Sequence, residues 1–321
     1  MSQRRNQLDA TATILMVILC ACWGLNQVAI KLGNGGISPI FHAGLRSLGS
    51  AALVWVWSAH RGVPLFSRDG SLRVGLLVGA LFAGEFVFIY AGLLYTTASR
   101  AVLFIYTAPF VVAIGAHLWI PGERLRPLQV VGLVGAFCGL ALAMGDALRL
   151  PSHRELLGDA MELIAAILWG ATTVTIKASR LSAVPPQKTL FYQLAVSAIA
   201  LPPIALLMGE PGVFAPTPLV LAMLGYQVIV VAFMSYLAWF WLVSRYPAGR
   251  LSAFSFLTPL FGLIAGAVLL GETVTWALIV ALALVGAGIY LVNRPPPQIA
   301  ARERAEAPLL PATPRRWSPK I

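Results

Sequence analysis

The chain contains about ten apolar stretches that are each long enough to cross a lipid bilayer, and no other feature limits its fold so strongly. A membrane-spanning helix needs about 20 predominantly apolar residues. The stretches cover residues 11–32, 38–59, 71–95, 99–119, 127–145, 158–179, 187–208, 218–245, 249–270 and 274–292. They are too long for membrane β-strands and do not alternate in polarity. We therefore expect an all-α integral membrane protein with ten transmembrane helices.

The composition agrees with a protein surrounded by lipid. Hydrophobic residues make up 59% of the 321 residues and charged residues only 11%, whereas soluble domains have about 25% charged residues. The net charge of +11 would suit a nucleic-acid-binding protein, but the basic residues are scattered between apolar stretches and form no compact face. We expect a lipid bilayer and a small-molecule substrate as partners, and no nucleic acid. The oligomeric state stays open, and a monomer is compatible with the sequence.

The basic residues also indicate how the chain is oriented, because cytoplasmic loops of membrane proteins are enriched in Lys and Arg. If the N-terminus is cytoplasmic, 18 of the 23 basic residues lie on the cytoplasmic side and four on the opposite side, while Arg46 lies within a helix. We therefore predict cytoplasmic termini, with a short tail at residues 1–10 and a disordered tail at residues 293–321. The expected location is the plasma (inner) membrane.

The sequence repeats itself after about 146 residues. WGLNQVAIK at Trp23–Lys31 returns as WGATTVTIK at Trp169–Lys177, with five of nine positions identical. RAVLFIYTAPF, which begins at Arg100, returns as RLSAFSFLTPL, which begins at Arg250. These matches predict two copies of a five-helix unit, at residues 11–145 and 158–292.

An odd number of helices per copy means that the second copy enters the membrane from the opposite side. A Gly-Glu pair follows the second motif in both copies, at Glu123 and Glu272. Inverted repeats of this kind are typical of secondary transporters, whose substrate site lies near the membrane midplane between the repeats. The repeat therefore predicts transport by alternating access.

These motifs resemble those of the drug/metabolite transporter superfamily, in its ten-helix EamA-type branch. The resemblance rests on CWGLNQVAIK, HAGLRSLGSAAL, ASRAVLFIYTAPFVVAIGAHLWIPGERL and GRLSAFSFLTPLFGLIAGAVLLGETV, and it covers about residues 11–292. It implies a proton-linked, gradient-linked or facilitative carrier of small metabolites, and it favours export over uptake. Within the family, the chain is similar to aromatic amino-acid exporters of the YddG type, although no diagnostic motif marks that closer match.

Helical spacing predicts a substrate cavity between the repeats, because polar and aromatic residues share faces of equivalent helices. The expected lining residues are Trp23, Asn26, Arg46, Glu85, Tyr106, Trp169, Tyr236, Trp239 and Phe256. Hydrogen bonding between helices is the alternative explanation for the polar faces. Pro109 and Pro259 lie near the middle of equivalent helices, and each frees a backbone carbonyl. Three roles stay open for both prolines: a static kink, a hinge or part of a cavity wall.

Glu85 is a carboxylate inside an apolar stretch, where a charge is costly and indicates a functional site by default. His42 and Arg46 in the second stretch are its candidate partners. A structural ion pair, a site for a substrate amine and a proton carrier all remain open. The equivalent position in the second copy is about Ser235, so the charge is not duplicated, which argues against a purely symmetric structural role.

A mostly aromatic wall with few polar groups favours a substrate with one apolar and one charged end. We therefore predict export of amino acids, with apolar or aromatic side chains tolerated; drug-like cations and sugar-like metabolites are the alternatives. A channel is disfavoured because no selectivity-filter motif is present. An enzyme is disfavoured because no cluster of His, Asp, Glu or Cys suits catalysis or metal binding, and no cofactor motif occurs.

Overall fold

The computed structural model describes residues 7–270 and 276–294, and within those ranges the chain forms ten helices. They are α1 (Ala10–Gly33), α2 (Pro39–His60), α3 (Leu72–Gly92), α4 (Ala98–Trp119), α5 (Pro127–Ala143), α6 (His153–Ala178), α7 (Pro186–Leu207), α8 (Pro218–Arg245), α9 (Ala248–Leu269) and α10 (Trp276–Asn293). All except α2 and α5 have the length and apolar composition of a membrane span. Apart from one isolated bridge between Ile37 and Val213, the described ranges contain no β-structure. The prediction of an all-α membrane protein is confirmed.

Local capping explains why α6 begins five residues before the apolar stretch that predicts it. Ser152 and Glu155 form a capping box in which the Ser152 hydroxyl accepts from the Glu155 amide and the Glu155 carboxylate accepts from the Ser152 amide. Such a reciprocal pair satisfies two backbone donors at a helix start. The early start places Glu162 about two and a half turns inside α6, whereas the apolar stretch alone places it near the helix end.

The helix contacts follow the symmetry expected of two inverted repeats. α1 packs on α9, and their counterparts α6 and α4 pack on each other. In the same way, α3 packs on α6 while α8 packs on α1. α2 and α7 are counterparts that pack directly against each other, and so are α5 and α10. Each repeat therefore completes its packing with helices of the other repeat.

Arg100 and Arg250 occupy equivalent places, which supports the register of the repeat. Arg100 Nη1 donates at 3.1 Å to the carbonyl of Arg149, which follows α5 after a short 3₁₀ turn at Gly145–Leu148. Arg250 Nη1 donates to the carbonyl of Asn293 at the end of α10, at 3.2 Å. Each arginine thus ties the fourth helix of its repeat to the end of the fifth. Glu272, the counterpart of Glu123, lies outside the described residues.

Three helices depart from regular α-helical geometry near the centre of the bundle. α4 is interrupted between Ile105 and Ala108, and α9 contains a 3₁₀ turn at Phe254–Phe256. Both interruptions come just before Pro109 and Pro259, the prolines expected to bend these helices. A proline ring clashes with the carbonyl of the residue four positions earlier, so that carbonyl loses its helical hydrogen bond. α8 contains a π-helical segment at Gln227–Ser235, a geometry that often occurs at functional sites.

Candidate functional site

A cavity of about 330 Å³ lies in the middle of the bundle and is lined by residues from eight helices. α5 and α10 supply none of the lining. The lining reaches Leu93 and Ala98, which are exposed at the connection between α3 and α4. A second cavity of about 410 Å³ lies at the opposite end and shares no lining residue with the first. The lining of the central cavity therefore reaches the surface at the α3–α4 end.

Two aromatic groups form the walls of this cavity. In one, Trp23 meets the rings of Tyr236 and Trp239 edge-to-face, with centroids 6.3 Å and 5.8 Å away. In the other, Tyr106 meets Trp169 edge-to-face at 5.7 Å. Each group joins one helix of the first repeat to one helix of the second, α1 with α8 and α4 with α6, so the aromatic wall is built across the contact between the repeats.

The polar residues beside these rings differ in how they are bonded. The Trp23 indole donates to the Ser235 hydroxyl on α8 at 2.8 Å, which is a contact between helices. Thr172 and Thr173 also line the cavity, but their hydroxyls donate to carbonyls of their own helix. Helix–helix hydrogen bonding therefore explains the polar face of α1 in part, and it does not explain the face of α6.

Buried polar groups without a partner are concentrated in the cavity. Six lining residues carry side-chain atoms for which the described part of the chain offers no hydrogen-bond partner: Asn26, Arg46, Glu85, Glu162, Gln193 and Thr258. An unsatisfied buried polar group costs about 1–3 kcal/mol, and more when it is charged. Several such groups around one cavity indicate a place where a polar ligand or water completes the hydrogen bonding.

Arg46 and Glu85 line the cavity without forming an ion pair with each other. The Arg46 guanidinium lies over the Phe86 ring, 4.6 Å from its centroid. Its Nε and Nη2 atoms, which form one edge of the guanidinium, have no partner among the described residues, and neither has Oε2 of Glu85. His42, the other candidate partner, instead contacts Asn34 and Gln227.

Glu162 and Gln193 line the cavity although the sequence did not single them out. Both side chains are fully buried, on α6 and α7 respectively. Gln193 interrupts an apolar stretch in the way that Glu85 does, and this is the signal that could have identified it. Glu162 was hidden because the apolar stretch placed it near a helix end.

Phe256 does not line the cavity, in contrast to the expectation from α-helical spacing, and Pro259, for which a cavity wall was one of three open roles, does not line it either. Phe256 is buried and packs against the rings of Phe110 and Phe137. A 3₁₀ turn advances about 120° per residue instead of about 100°. The turn at Phe254–Phe256 therefore rotates the residues that follow it, and Thr258 faces the cavity in place of Pro259. Pro109, by contrast, does line the cavity.

A polar network closes the bundle at the end opposite the α3–α4 mouth. Lys177 Nζ donates to the carbonyls of Val243 and Tyr246 at the end of α8, at 2.6 Å and 2.5 Å. It also lies 3.7 Å from Glu123, whose carboxylate accepts from the amide of Ala248 at 2.7 Å. These contacts bind α6 and the α4–α5 connection to the junction between α8 and α9.

Several proteins with similar sequences are transporters or efflux pumps. A probable amino-acid metabolite efflux pump of Salmonella typhimurium is 27% identical over 296 residues, which cover 88% of this chain and 94% of the pump. A probable amino-acid metabolite efflux pump of Escherichia coli is 25% identical over 287 residues, covering 87% of this chain and 93% of the pump. A solved crystal structure has a TM-score of 0.78 at 20% identity and covers 94% of this chain, which supports the fold alone.

The EamA-like transporter family matches the chain twice, at residues 10–145 and 156–294. The two matches agree with the internal repeat, and the resemblance noted from the motifs is confirmed. The protein is a multi-pass membrane transporter of a small molecule, and not an enzyme. The closer similarity to YddG-type exporters stays a prediction. With both halves matched and ten helices in place, the chain belongs to the EamA-like transporter family.

Proposed function

We propose that this protein exports amino acids across the plasma (inner) membrane. The observation that carries the proposal is the pair of unsatisfied groups in the central cavity. The free edge of Arg46, formed by Nε and Nη2, offers two parallel donors that match a carboxylate. The free oxygen of Glu85 is an acceptor for an ammonium group. The surrounding aromatic rings accommodate an apolar side chain, and two homologous efflux pumps of amino-acid metabolites favour the same substrate class.

Alternating access between the two repeats is the proposed mechanism. Lys177 and Lys31 are equivalent in the repeat, yet Lys177 is buried in the closed end and Lys31 is exposed beside the open end. If both termini are cytoplasmic, this arrangement is open to the outside and closed to the cytoplasm. If Lys31 became buried and Lys177 became exposed, the outer mouth would close and the inner end would open. Pro109 and Pro259, next to the interruptions of α4 and α9, are the proposed hinges.

Transport into and out of proteoliposomes tests the substrate class. We expect labelled phenylalanine and leucine to leave loaded vesicles faster than they leave protein-free vesicles, and Arg46→Lys to weaken transport at least tenfold because a lysine lacks the two-donor edge. Arg61→Lys is the matched control, since Arg61 is exposed at the end of the same helix. Release of a cationic dye without release of any amino acid would favour the drug-like alternative. Counterflow of labelled solute separates a carrier from a channel.

Cysteine labelling tests the orientation. Gly35→Cys lies in the exposed α1–α2 connection and Arg68→Cys in the exposed α2–α3 connection. We expect an impermeant thiol reagent to label the first from outside the cell and the second only after the membrane is opened. The reverse pattern would contradict cytoplasmic termini.

A further inference from the structure

Glu162 is a second unsatisfied carboxylate in the central cavity, and the amino and carboxyl contacts proposed above do not use it. Its side chain is fully buried on α6. Neither of its oxygens has a hydrogen-bond partner in residues 7–270 or 276–294. A Cβ atom built on Gly92 would lie 2.8 Å from Oε1 of Glu162. The carboxylate therefore lies against the end of α3.

The cations near Glu162 are held by other carboxylates. Arg100, on the neighbouring helix α4, pairs with Asp159 at 2.5 Å. Arg149 pairs with Glu155. On α3, the other helix packed against this part of α6, the charged residue of the cavity is Glu85, which has the same sign. Glu162 is thus a negative group that needs a cation from outside the described chain, or a proton, to be stable when buried.

The two free carboxylates lie beside different positions of the same helix, α3. Gly92, beside Glu162, follows Glu85 by seven residues on α3, which is two helical turns and about 10 Å at a rise of 1.5 Å per residue. Phe86 and Ile89 line the cavity between them. A molecule that satisfies both carboxylates must therefore carry two cationic groups separated by an apolar chain.

We propose that Glu162 binds the cationic end of a long side chain, so that the cavity prefers amino acids with a terminal ammonium or guanidinium group. This inference rests on the proposed function, because it assumes that the amino acid's own ammonium contacts Glu85. The two nitrogens of an extended lysine are about 7 Å apart, from bond lengths of about 1.5 Å. Charge-assisted hydrogen bonds of about 2.8 Å at each end extend this reach to at most about 12–13 Å, which is enough to connect two carboxylates that lie beside positions about 10 Å apart on α3.

Competition between lysine and norleucine tests this inference on the unmodified protein. Norleucine has the same carbon chain without the terminal ammonium. We expect lysine to inhibit efflux of labelled leucine at concentrations about 10–100-fold below those needed for norleucine, the range for one hydrogen bond to a charged group. Equal inhibition by the two would overturn the inference and leave the proposed function standing. Failure of both, together with no transport of leucine, would overturn the proposed function as well.

The variant Glu162→Gln tests the residue itself. It should raise the KM for lysine and arginine about 10–100-fold and leave the KM for leucine within a factor of three. Glu162→Asp keeps the charge on a shorter side chain and should retain part of the preference for lysine. Equal loss for every substrate, with loss of the pH dependence of transport, would identify Glu162 as a proton carrier and overturn the inference. An unchanged ratio of lysine to leucine transport would also overturn it.

Discussion

Replacing Lys177 with methionine should destabilise the protein strongly, whereas the same change at its repeat-equivalent Lys31 should not. The Lys177 side chain is 2% exposed and binds two carbonyls at the end of α8 as well as Glu123. Methionine has a similar length but cannot donate. The variant therefore leaves helix-terminal carbonyls and a carboxylate that is 12% exposed without their cation.

The expected loss follows from these contacts. Two hydrogen bonds from a charged donor contribute about 1.5–3 kcal/mol each. Removing the ammonium also removes its own desolvation cost, and the apolar methionine gains from burial, so part of the loss is offset. We expect Lys177→Met to lower the free energy of unfolding by about 2–4 kcal/mol. Lys31→Met should change it by less than about 0.5 kcal/mol, as for most exposed sites.

Reversible unfolding in mixed detergent micelles measures both variants against the unmodified protein. A second readout is the labelling of a cysteine at the closed end, because loss of Lys177 contacts should also increase opening there. Equal destabilisation by the two variants would show that the repeat-equivalent lysines have the same environment on average. That result would refute both the energetic reasoning and the assignment of this end as the closed one.

Two further predictions concern parts of the fold outside the cavity. Gly288→Ala should lower the free energy of unfolding by about 1–3 kcal/mol, because the new Cβ would lie 2.5 Å from the carbonyl oxygen of Gly132. Gly286 is the control on the same helix: a Cβ there meets nothing within 4 Å, so Gly286→Ala should be neutral in the same unfolding assay. The hydrogen bond from Lys188 lowers the pKa of Asp69 in the α2–α3 connection. The stabilisation by ionised Asp69 should therefore be complete above about pH 4 and disappear at lower pH. The difference in unfolding free energy between the unmodified protein and Asp69→Asn should shrink on acidification. A difference that grows on acidification would contradict this sign.

The number and type of the helices could be predicted from the sequence because the bilayer imposes a local rule. The backbone N–H and C=O groups of each span must form hydrogen bonds within that span, and the span must contain about 20 predominantly apolar residues. The rule depends on neighbouring residues along the chain, so ten apolar stretches correspond to ten helices. The repeat was equally visible, because Trp23 with Trp169 and Arg100 with Arg250 keep their identity at equivalent places.

The predicted cavity residues depended on a second assumption, that each helix is regular and begins where its apolar stretch begins. Where this holds, as for Trp23 and Trp169, the predicted residue lines the cavity. Where α9 contains a 3₁₀ turn, Phe256 lies outside the lining. Where α6 begins early through a polar capping box, Glu162 lies deeper than its position in the apolar stretch indicates.

The sequence by itself determined the all-α architecture and the inverted repeat, because hydrophobic length and residue identity are properties of the chain alone. Only the tertiary structure decided which polar groups are satisfied. Arg100 pairs with Asp159 and Lys177 pairs with Glu123, each across a helix boundary, whereas Nε and Nη2 of Arg46 and Oε2 of Glu85 have no hydrogen-bond partner in the part of the chain described. Pairing depends on distances of a few ångströms between residues far apart in sequence, and helix packing sets those distances.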